Sequence, residues 1–294
     1  MNGMDSGSDG DLPRGVALAW GVAANPQRGP KRELNLEGIV DAAVRIADAD
    51  GLGAVSMASV AAALGFTTMS LYRYVSAKDD LILLMQEAGI GLPPLSIGEA
   101  DTWRERLTRW YRAVLAVFDE HPWLLDIPIV GEPNTPNNLA WLDAGLGALA
   151  DTTLPPAARV SAMLMLSGQS RWEGQILRNQ AADGLPAETL AELITAEQFP
   201  NLAPAIAAGA FTGGEAEAFE FGLLRILDGL ELHMTELAAG RTGTTATPDP
   251  DREFAKDENV KKAVARVRDA EGKVRDARQK QREAIAKARE RARG

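Results

Sequence analysis

The chain has 294 residues, of which 46% are hydrophobic, and it carries a formal net charge of −10 and no cysteine. This suits one large or two modest domains with ample core material, and it excludes disulfides, cysteine ligands and cysteine nucleophiles. Because no run reaches the roughly 20 apolar residues of a spanning helix and no signal peptide begins the chain, we expect a cytoplasmic protein that enters no membrane.

The first predicted elements are an arm and a helix. Residues 1–34 are rich in Gly, Pro and Asp and lack periodicity, so they are predicted to form a flexible arm. Apolar residues recur at helical spacing from Leu36 onward, which predicts a helix. Asn35 is a good N-cap for this helix and Gly51 a good residue for its end.

Two short helices joined by a tight turn follow. The first is predicted to begin after Ser56 and to end at Gly65, because glycine takes the positive φ that the turn requires. Ala61 is small enough for two helices to cross closely. The second helix begins at Thr67 or Thr68. In a helix-turn-helix of this kind, the second helix presents its N-terminal residues to the major groove of DNA.

The exposed positions of this motif carry groups that suit DNA contacts. Hydroxyl groups can bond to phosphates or base edges, and Met69 can contact a thymine methyl. Lys78 is predicted to begin the next helix, which runs to about Gly89 and whose N-terminus also attracts phosphate. The predicted DNA-contact residues are Ser56, Thr67, Thr68, Met69, Ser70, Tyr72, Arg73, Tyr74 and Lys78. Residues 28–90 hold 6 Lys/Arg and 8 Asp/Glu, so we expect moderate, strongly salt-dependent binding.

The rest of the chain keeps a helical pattern without strand alternation. After a Gly- and Pro-rich boundary near residue 90, helices are predicted at about 101–120, 136–150, 156–182, 187–196 and 215–239. We therefore predict an all-α fold made of a flexible arm at 1–34, a helix-turn-helix DNA-binding domain at 35–90, a helical ligand-binding and dimerisation domain at 100–240, a linker at 241–251 and a charged helical tail at 252–294.

The segment LGFTTMSLYRYVSAKDDL, residues 64–81, resembles the signature of the tetracycline-repressor (TetR) family. The specific resemblance covers about residues 35–84 and implies a three-helix DNA-binding domain followed by a helical regulatory domain. It implies phosphate contacts by Tyr72 and Lys78, and base-edge contacts by Thr68, Met69 and Ser70. It further implies a regulator, usually a repressor, whose dimer binds a palindromic operator and releases it when a ligand separates the two recognition helices.

Two helices within 100–240 are predicted to form a dimer interface. Residues 160–175 contain the run MLML at 163–166, which is apolar nearly all round, as in a doubly buried helix. Residues 219–233 carry a wide apolar stripe. The resemblance implies that these helices form a four-helix bundle across the dimer. The predicted interface residues are Met163, Leu166, Phe221, Leu224, Leu227 and Leu230. Alternatively, both helices belong to the core of a single chain.

The predicted effector site rests on aromatic residues. Five of the six tryptophans lie in the regulatory half, and aromatic side chains with a few polar groups suit a pocket for a small apolar or aromatic ligand. The candidate ligand-binding residues are Trp110, Phe118, Trp141, Met165, Gln169 and Trp172. The alternative interpretation places most of them in an ordinary core.

The tail is predicted to be one long helix. Residues 251–294 hold 15 Lys/Arg and 9 Asp/Glu, a net charge of +6, whereas the remainder carries −16. Acids precede bases by four residues, which supports an isolated helix, and a thin Val/Ala heptad is weak for a coiled coil. Three hypotheses remain open: a solvated single helix, docking on the body or a dimer mate, and contact with DNA or an acidic partner.

Catalysis is the first rival class of function, and the sequence offers little for it. The two histidines, His121 and His233, are far apart and have no metal-ligand spacing. No phosphate-binding glycine loop or nucleophile elbow is present, so we expect no enzyme, no metal and no cofactor. The second rival is a helical interaction protein whose DNA reader is degenerate, which would bind no sequence specifically.

Overall fold

The computed structural model of the protein describes residues 12–22, 34–129, 134–179, 194–209, 215–241, 254 and 257–293. Every long regular element in these ranges is helical, which confirms the all-α prediction. The helices are α1 (Arg14–Ala19), α2 (Leu36–Asp50), α3 (Met57–Leu64), α4 (Thr68–Leu71), α5 (Lys78–Ile90), α6 (Trp103–Glu120), α7 (Pro136–Ala148), α8 (Pro156–Asn179), α9 (Leu202–Ala207), α10 (Glu215–Ala238) and α11 (Glu258–Arg293). Short 3-10 turns span Leu52–Ala54, Leu95–Ile97 and Pro122–Asp126.

Two apolar cores organise the helices up to α10. The first gathers side chains of α1 to α5 and adds Trp123 and Leu124 from the 3-10 turn after α6. The second gathers side chains of α6, α7, α8 and α10, around the fully buried Leu107, Leu149 and Leu166. Because Trp123 is inserted into the first core while α6 contributes to the second, the chain segment after α6 physically joins the two.

Helix α1 lies inside the segment that is predicted to be a flexible arm. Val16 and Leu18 are buried, and α1 packs along α5. Gly15 makes this approach possible, since a Cβ at that position would lie 2.9 Å from Oδ1 of Asp80. A six-residue helix is too short to produce a visible period in the sequence, so the flexible-arm prediction is wrong for residues 14–19.

Differences also occur after α8. The predicted helix at 187–196 falls mostly outside the described residues, and α9 was not predicted. Helix α8 is described as far as Asn179, three residues before the predicted end. The tail helix begins at Glu258, six residues after its predicted start at about 252. The other predicted helix boundaries agree with the structure within two residues.

The chain divides into two compact units, Met1–Thr242 and Gly243–Gly294. The second unit contains α11, a single helix of 36 residues whose described side chains are almost all exposed to solvent. In the portion that the structure describes, no helix combines the length and the apolar character needed to cross a membrane.

Candidate nucleic-acid interface and regulatory core

The turn between α3 and α4 is held by local interactions. Ser56 and Ser59 form a capping box at the start of α3, in which each side chain accepts a hydrogen bond from the other residue's backbone N–H at 2.9 to 3.0 Å. Gly65 ends α3 with φ +76°, a left-handed conformation that costs glycine little. Leu71 and Val75 anchor the following segment in the first core. These constraints fix the direction in which α4 leaves the domain.

The residues around α4 present an exposed face. Met69 is 73% exposed and Tyr72 is 46% exposed, and the side chains of Arg73 and Lys78 also face solvent. Thr67 is exposed, and its hydroxyl lies 2.9 Å from that of Ser70, while Thr68 and Ser70 are half-buried. Eight of the nine predicted DNA-contact residues thus lie on or beside α4 and the start of α5, and five of these eight are exposed.

Two of the predicted DNA-contact residues, Ser56 and Tyr74, make contacts within the protein itself. The hydroxyl of Ser56 is engaged in the capping box, so it accepts the N–H of Ser59. Tyr74 is half-buried and packs on the first core. Tyr72, two residues earlier, is exposed to solvent.

A single carboxylate joins α2 to the segment after α6. Oδ1 of Asp48 accepts the indole N–H of Trp123 at 2.6 Å and lies 2.7 Å from Nδ1 of His121. Asp48 was not singled out in the sequence, because its partners lie more than 70 residues away. His121 therefore stands at a domain junction, and no other feature indicates a catalytic base there.

A second junction links α5 to α7. Oε1 of Glu87 accepts the backbone N–H of Asn137 at 2.6 Å, and the Asn137 side chain donates to the Glu87 carbonyl at 2.8 Å. The indole of Trp141 donates to the carbonyls of Ile90 and Gly91 at 3.1 and 3.0 Å. These bonds thus hold the C-terminal end of α5 against α7 and the second core.

Two arginines of α8 hold the 3-10 turn Pro122–Asp126. Arg171 donates to the carbonyls of Leu124, Leu125 and Ile127. Arg178 donates to the Pro122 carbonyl at 2.9 Å and to Asp126 at 2.7 Å. The turn that carries Trp123 therefore moves with α8, since these bonds fix it to that helix.

The six predicted ligand-binding residues do not converge on one pocket. Trp110 and Trp141 are buried in the second core, where their rings make an edge contact at 6.2 Å. Phe118 packs against the first core, whereas Met165 and Trp172 are largely exposed. The prediction that these six residues line one pocket is wrong, because helix packing turns their side chains in different directions.

A buried polar cluster lies where α6, α8 and α10 meet. The hydroxyl of Tyr111 donates to Oε2 of Glu173 at 2.5 Å, and both residues are buried. Gln169, one turn before Glu173, interacts with the same hydroxyl. Gly222 makes room for Gln169, since a Cβ there would lie 2.8 Å from its Nε2. The sequence signal that could have revealed this cluster is the pair Gln169 and Glu173 at i,i+4 spacing on an apolar helix.

The electrostatics of the cluster are unusual for an apolar core. Burial raises the pKa of Glu173, although the hydrogen bond from Tyr111 opposes this shift. Burial, followed by the hydrogen bond and the charge of Glu173, raises the pKa of Tyr111 far above its usual range. Among the described residues, Glu173 forms no ion pair with a cation. The carboxyl group of Glu173 is thus buried with a hydrogen bond from Tyr111 and without a cationic partner.

The structure corrects part of the predicted dimer interface. Met163, Leu166 and Leu227 are buried inside the chain, so these three predictions are wrong, and Leu230 is half-buried on the same core. Phe221 is 64% exposed and Leu224 is also exposed. The large apolar side chains that α8 and α10 expose to solvent are Val160, Leu164, Met165, Trp172, Leu177, Phe221, Leu224 and Leu232.

One open groove of about 480 Å³ lies elsewhere, between α7 and the segment before α6. Arg106 and Asp151 pair across its rim, and Pro93, Leu95 and Ile97 form its apolar side. None of the predicted ligand residues lines it. Within the described ranges, no three acidic or histidine side chains come close enough to hold a metal ion.

Two family models match the chain. The model described as bacterial regulatory proteins, tetR family, matches residues 39–85, and the model described as tetracyclin repressor-like, C-terminal domain, matches residues 97–234. The first match covers α3 and α4 with most of α2 and α5, and the second covers most of the regulatory core. Helix α11 lies beyond both.

Individual relatives agree with these matches. The HTH-type transcriptional repressor DrrR1 of Streptomyces coeruleorubidus is 36% identical over 260 residues, which cover 82% of this chain and 92% of the relative. Apo ActR from Streptomyces coelicolor has a TM-score of 0.62 at 26% identity, covering 72% of this chain and 100% of ActR. ActR in complex with actinorhodin has a TM-score of 0.59 at 28% identity, covering 69% and 99%.

Proposed function

Because this chain belongs to the TetR family of bacterial transcriptional regulators, we propose that it is a ligand-responsive repressor that binds a palindromic operator as a homodimer. The observation that carries this proposal is the exposed face of α4, on a helix-turn-helix whose own turn and caps are intact.

We assign the direct contacts to the exposed residues. Met69 offers a flexible apolar tip for a thymine methyl, and the Thr67 and Ser70 hydroxyls can donate or accept at base edges or phosphates. Tyr72, Arg73 and Lys78 supply phosphate contacts, which position the helix without specifying sequence. Thr68 remains a proposed contact at the groove floor, while Ser56 and Tyr74 act mainly by holding the motif in shape.

The proposed dimer uses the exposed apolar side chains of α8 and α10. Leu164 and Trp172 on α8 and Phe221 on α10 are too large and too exposed to be explained by the fold of one chain. Two-fold symmetry would bring each of these patches against its equivalent in the partner. The same symmetry would place two α4 helices one helical turn of DNA apart.

For the effector, we propose a small apolar or aromatic molecule that carries a hydrogen-bond donor. Tyr111, Gln169 and Glu173 provide the polar groups that orient a ligand, and Phe118 and Phe219 flank α8 at the same level. The ActR complex with actinorhodin supports ligand binding by a relative of this fold. A ligand donor would add a second hydrogen bond to the carboxyl group of Glu173, which accepts one from Tyr111 and has no cationic partner.

The route from this cluster to the DNA reader would run along α8. Glu173 lies between Arg171 and Arg178, which hold the turn carrying Trp123, and Trp123 holds Asp48 of α2. A shift of α8 on ligand binding would therefore displace α2 and the reader with it. The strength of release is limited by the ligand's different affinity for the two states.

The test begins with the selection of bound duplexes from a random-sequence pool. The affinity of the most enriched duplex is then measured for the wild type, Tyr72→Ala and Tyr72→Phe. We expect the enriched duplex to be palindromic, and we expect a large loss of affinity in Tyr72→Ala and a smaller loss in Tyr72→Phe. Leu95→Ala is the matched control, because Leu95 is exposed but far from α4 in the chain. A pool without enrichment at low salt would contradict the proposal and favour an interaction protein with a degenerate reader.

A further inference from the structure

The DNA-reading unit is poor in cations, and α11 is rich in them. Residues 34–90 hold three Lys and Arg against seven Asp and Glu, whereas residues 258–293 hold 13 Lys and Arg against six Asp and Glu. Affinity for duplex DNA comes largely from cations that neutralise phosphates. Residues 34–90, with a net charge of −4, therefore lack the usual source of non-specific affinity for DNA. Helix α11 of the same chain, with a net charge of +7, has the cations that could supply this affinity.

Four basic residues of α11 recur at a regular spacing along the helix. Arg266, Lys273, Lys280 and Lys287 recur every seventh residue, and all four are exposed. Seven residues of α-helix advance by about 10.5 Å and return to nearly the same side of the helix. The four cations therefore form a line about 30 Å long on one side of α11. Such a line can reach several phosphates of a duplex at once.

A second copy of α11 is a poor partner for this face. The apolar seam consists of Val260, Val267 and Val274 with alanines between them, and these valines are exposed. The line of cations directly flanks this seam, so an antiparallel pair of α11 helices would bring like charges together along its length, and a parallel pair would set the line against a single acid, Glu271. Small apolar contacts cannot offset that repulsion well, which leaves an anionic partner as the better match.

We propose that α11 binds the phosphate backbone of duplex DNA without sequence preference. This inference rests on the proposed function, because it adds affinity to a complex that α4 makes specific. The acids of α11 do not cancel the effect: Asp269 pairs with Lys273 at 2.6 Å, but such an exposed pair is weak and opens readily. Helix α11 thus supplies the phosphate contacts that the acidic reader lacks.

The test compares the full-length wild type with the quadruple variant Arg266→Gln, Lys273→Gln, Lys280→Gln and Lys287→Gln. Glutamine keeps helix propensity close to that of lysine and arginine, and circular dichroism checks that the helix remains. The matched control replaces acids of the same helix: Glu258→Gln, Asp269→Asn, Glu271→Gln and Asp276→Asn. Each protein is titrated with a random-sequence duplex and with the selected operator, at several salt concentrations.

We expect the basic-residue variant to bind both duplexes more weakly, by about ten-fold or more at low salt. The plot of log K against log salt should also become less steep, its slope falling in magnitude by up to about 3.6. The acid variant should bind more tightly. Equal affinities and slopes in wild type and basic-residue variant would overturn the inference, as would tighter binding by that variant. A changed oligomeric state with an unchanged slope would instead assign α11 to a second copy. Failure of the wild type to bind any duplex would contradict the proposed function itself.

Discussion

Oδ1 of Asp48 in α2 accepts the indole N–H of Trp123 at 2.6 Å, across 75 residues of sequence. The same oxygen lies near His121, and the turn that carries Trp123 is bonded to α8 by Arg171 and Arg178. Asp48 therefore connects α2 to α8 through this turn, beside the packing of Trp123 in the first core and the bonds between α5 and α7. We propose this connection as a route by which a ligand in the second core acts on α2.

The Asp48–Trp123 bond can be measured by a double-mutant cycle of Asp48→Ala and Trp123→Phe. Phenylalanine keeps an aromatic ring in the first core and removes the donor, and the cycle cancels the cost of its smaller volume. We expect a coupling free energy of about 1 kcal/mol or more in urea unfolding, as for a hydrogen bond to a charged group. Additive effects of the two changes would show that the bond contributes nothing to stability.

The carboxyl of Glu173 predicts a pH dependence of stability. Because burial raises its pKa in the folded state, folding favours the protonated form, so this contribution is greatest below the unfolded-state pKa. It is lost as the pH rises through the higher folded-state pKa. We expect Glu173→Gln to be more stable than wild type at pH 7 and to lack this component.

Thermal unfolding of both proteins between pH 4 and pH 8 checks the prediction. Glu99→Gln is the control, because Glu99 is exposed and should retain the wild-type profile. Parallel pH profiles for wild type and Glu173→Gln would contradict the assignment of a raised pKa to Glu173.

Two glycines of α7 give opposite predictions. A Cβ at Gly145 would lie 2.1 Å from Cε of Met163, whereas nothing lies within 4 Å of a Cβ at Gly147. We expect Gly145→Ala to lower the free energy of unfolding by about 1–3 kcal/mol through overpacking. Gly147→Ala should raise it by up to about 1 kcal/mol, since alanine is the better helix former.

Chemical denaturation of the two variants measures both effects. Adding Met163→Val to Gly145→Ala should recover part of the loss, because valine lacks the terminal atoms that clash. Equal stability changes in the two alanine variants would mean that α7 and α8 do not pack as closely as described.

The exposed side of α8 predicts a variant that separates the dimer. Leu164 is 68% exposed, and Leu164→Glu keeps helix propensity while placing a charge in the proposed interface. We expect a monomer in analytical ultracentrifugation and operator binding weakened by at least about ten-fold, since two linked half-sites would no longer bind together. Leu95→Glu, also on an exposed leucine, should remain dimeric. A dimeric Leu164→Glu would place the interface elsewhere.

The sequence by itself determined the DNA reader, because its signals are local. Asn35, Ser56 and Gly65 act through backbone geometry within a few residues, and each is found where the pattern predicts it. The exposure of Met69 and Tyr72 follows from the inward anchors Leu71 and Val75 at helical spacing. The alternation of helices and breaks was likewise enough for the all-α fold.

Only the tertiary structure decided which side of α8 is buried. The run around Met163 to Leu166 is apolar on every side, so periodicity selects no face. Packing on α6 and α10 buries Met163 and Leu166 and leaves Leu164 and Met165 in water. The same holds for Tyr111 and Glu173, and for Asp48 and Trp123, since bonds between residues distant in the chain have no local sequence signal.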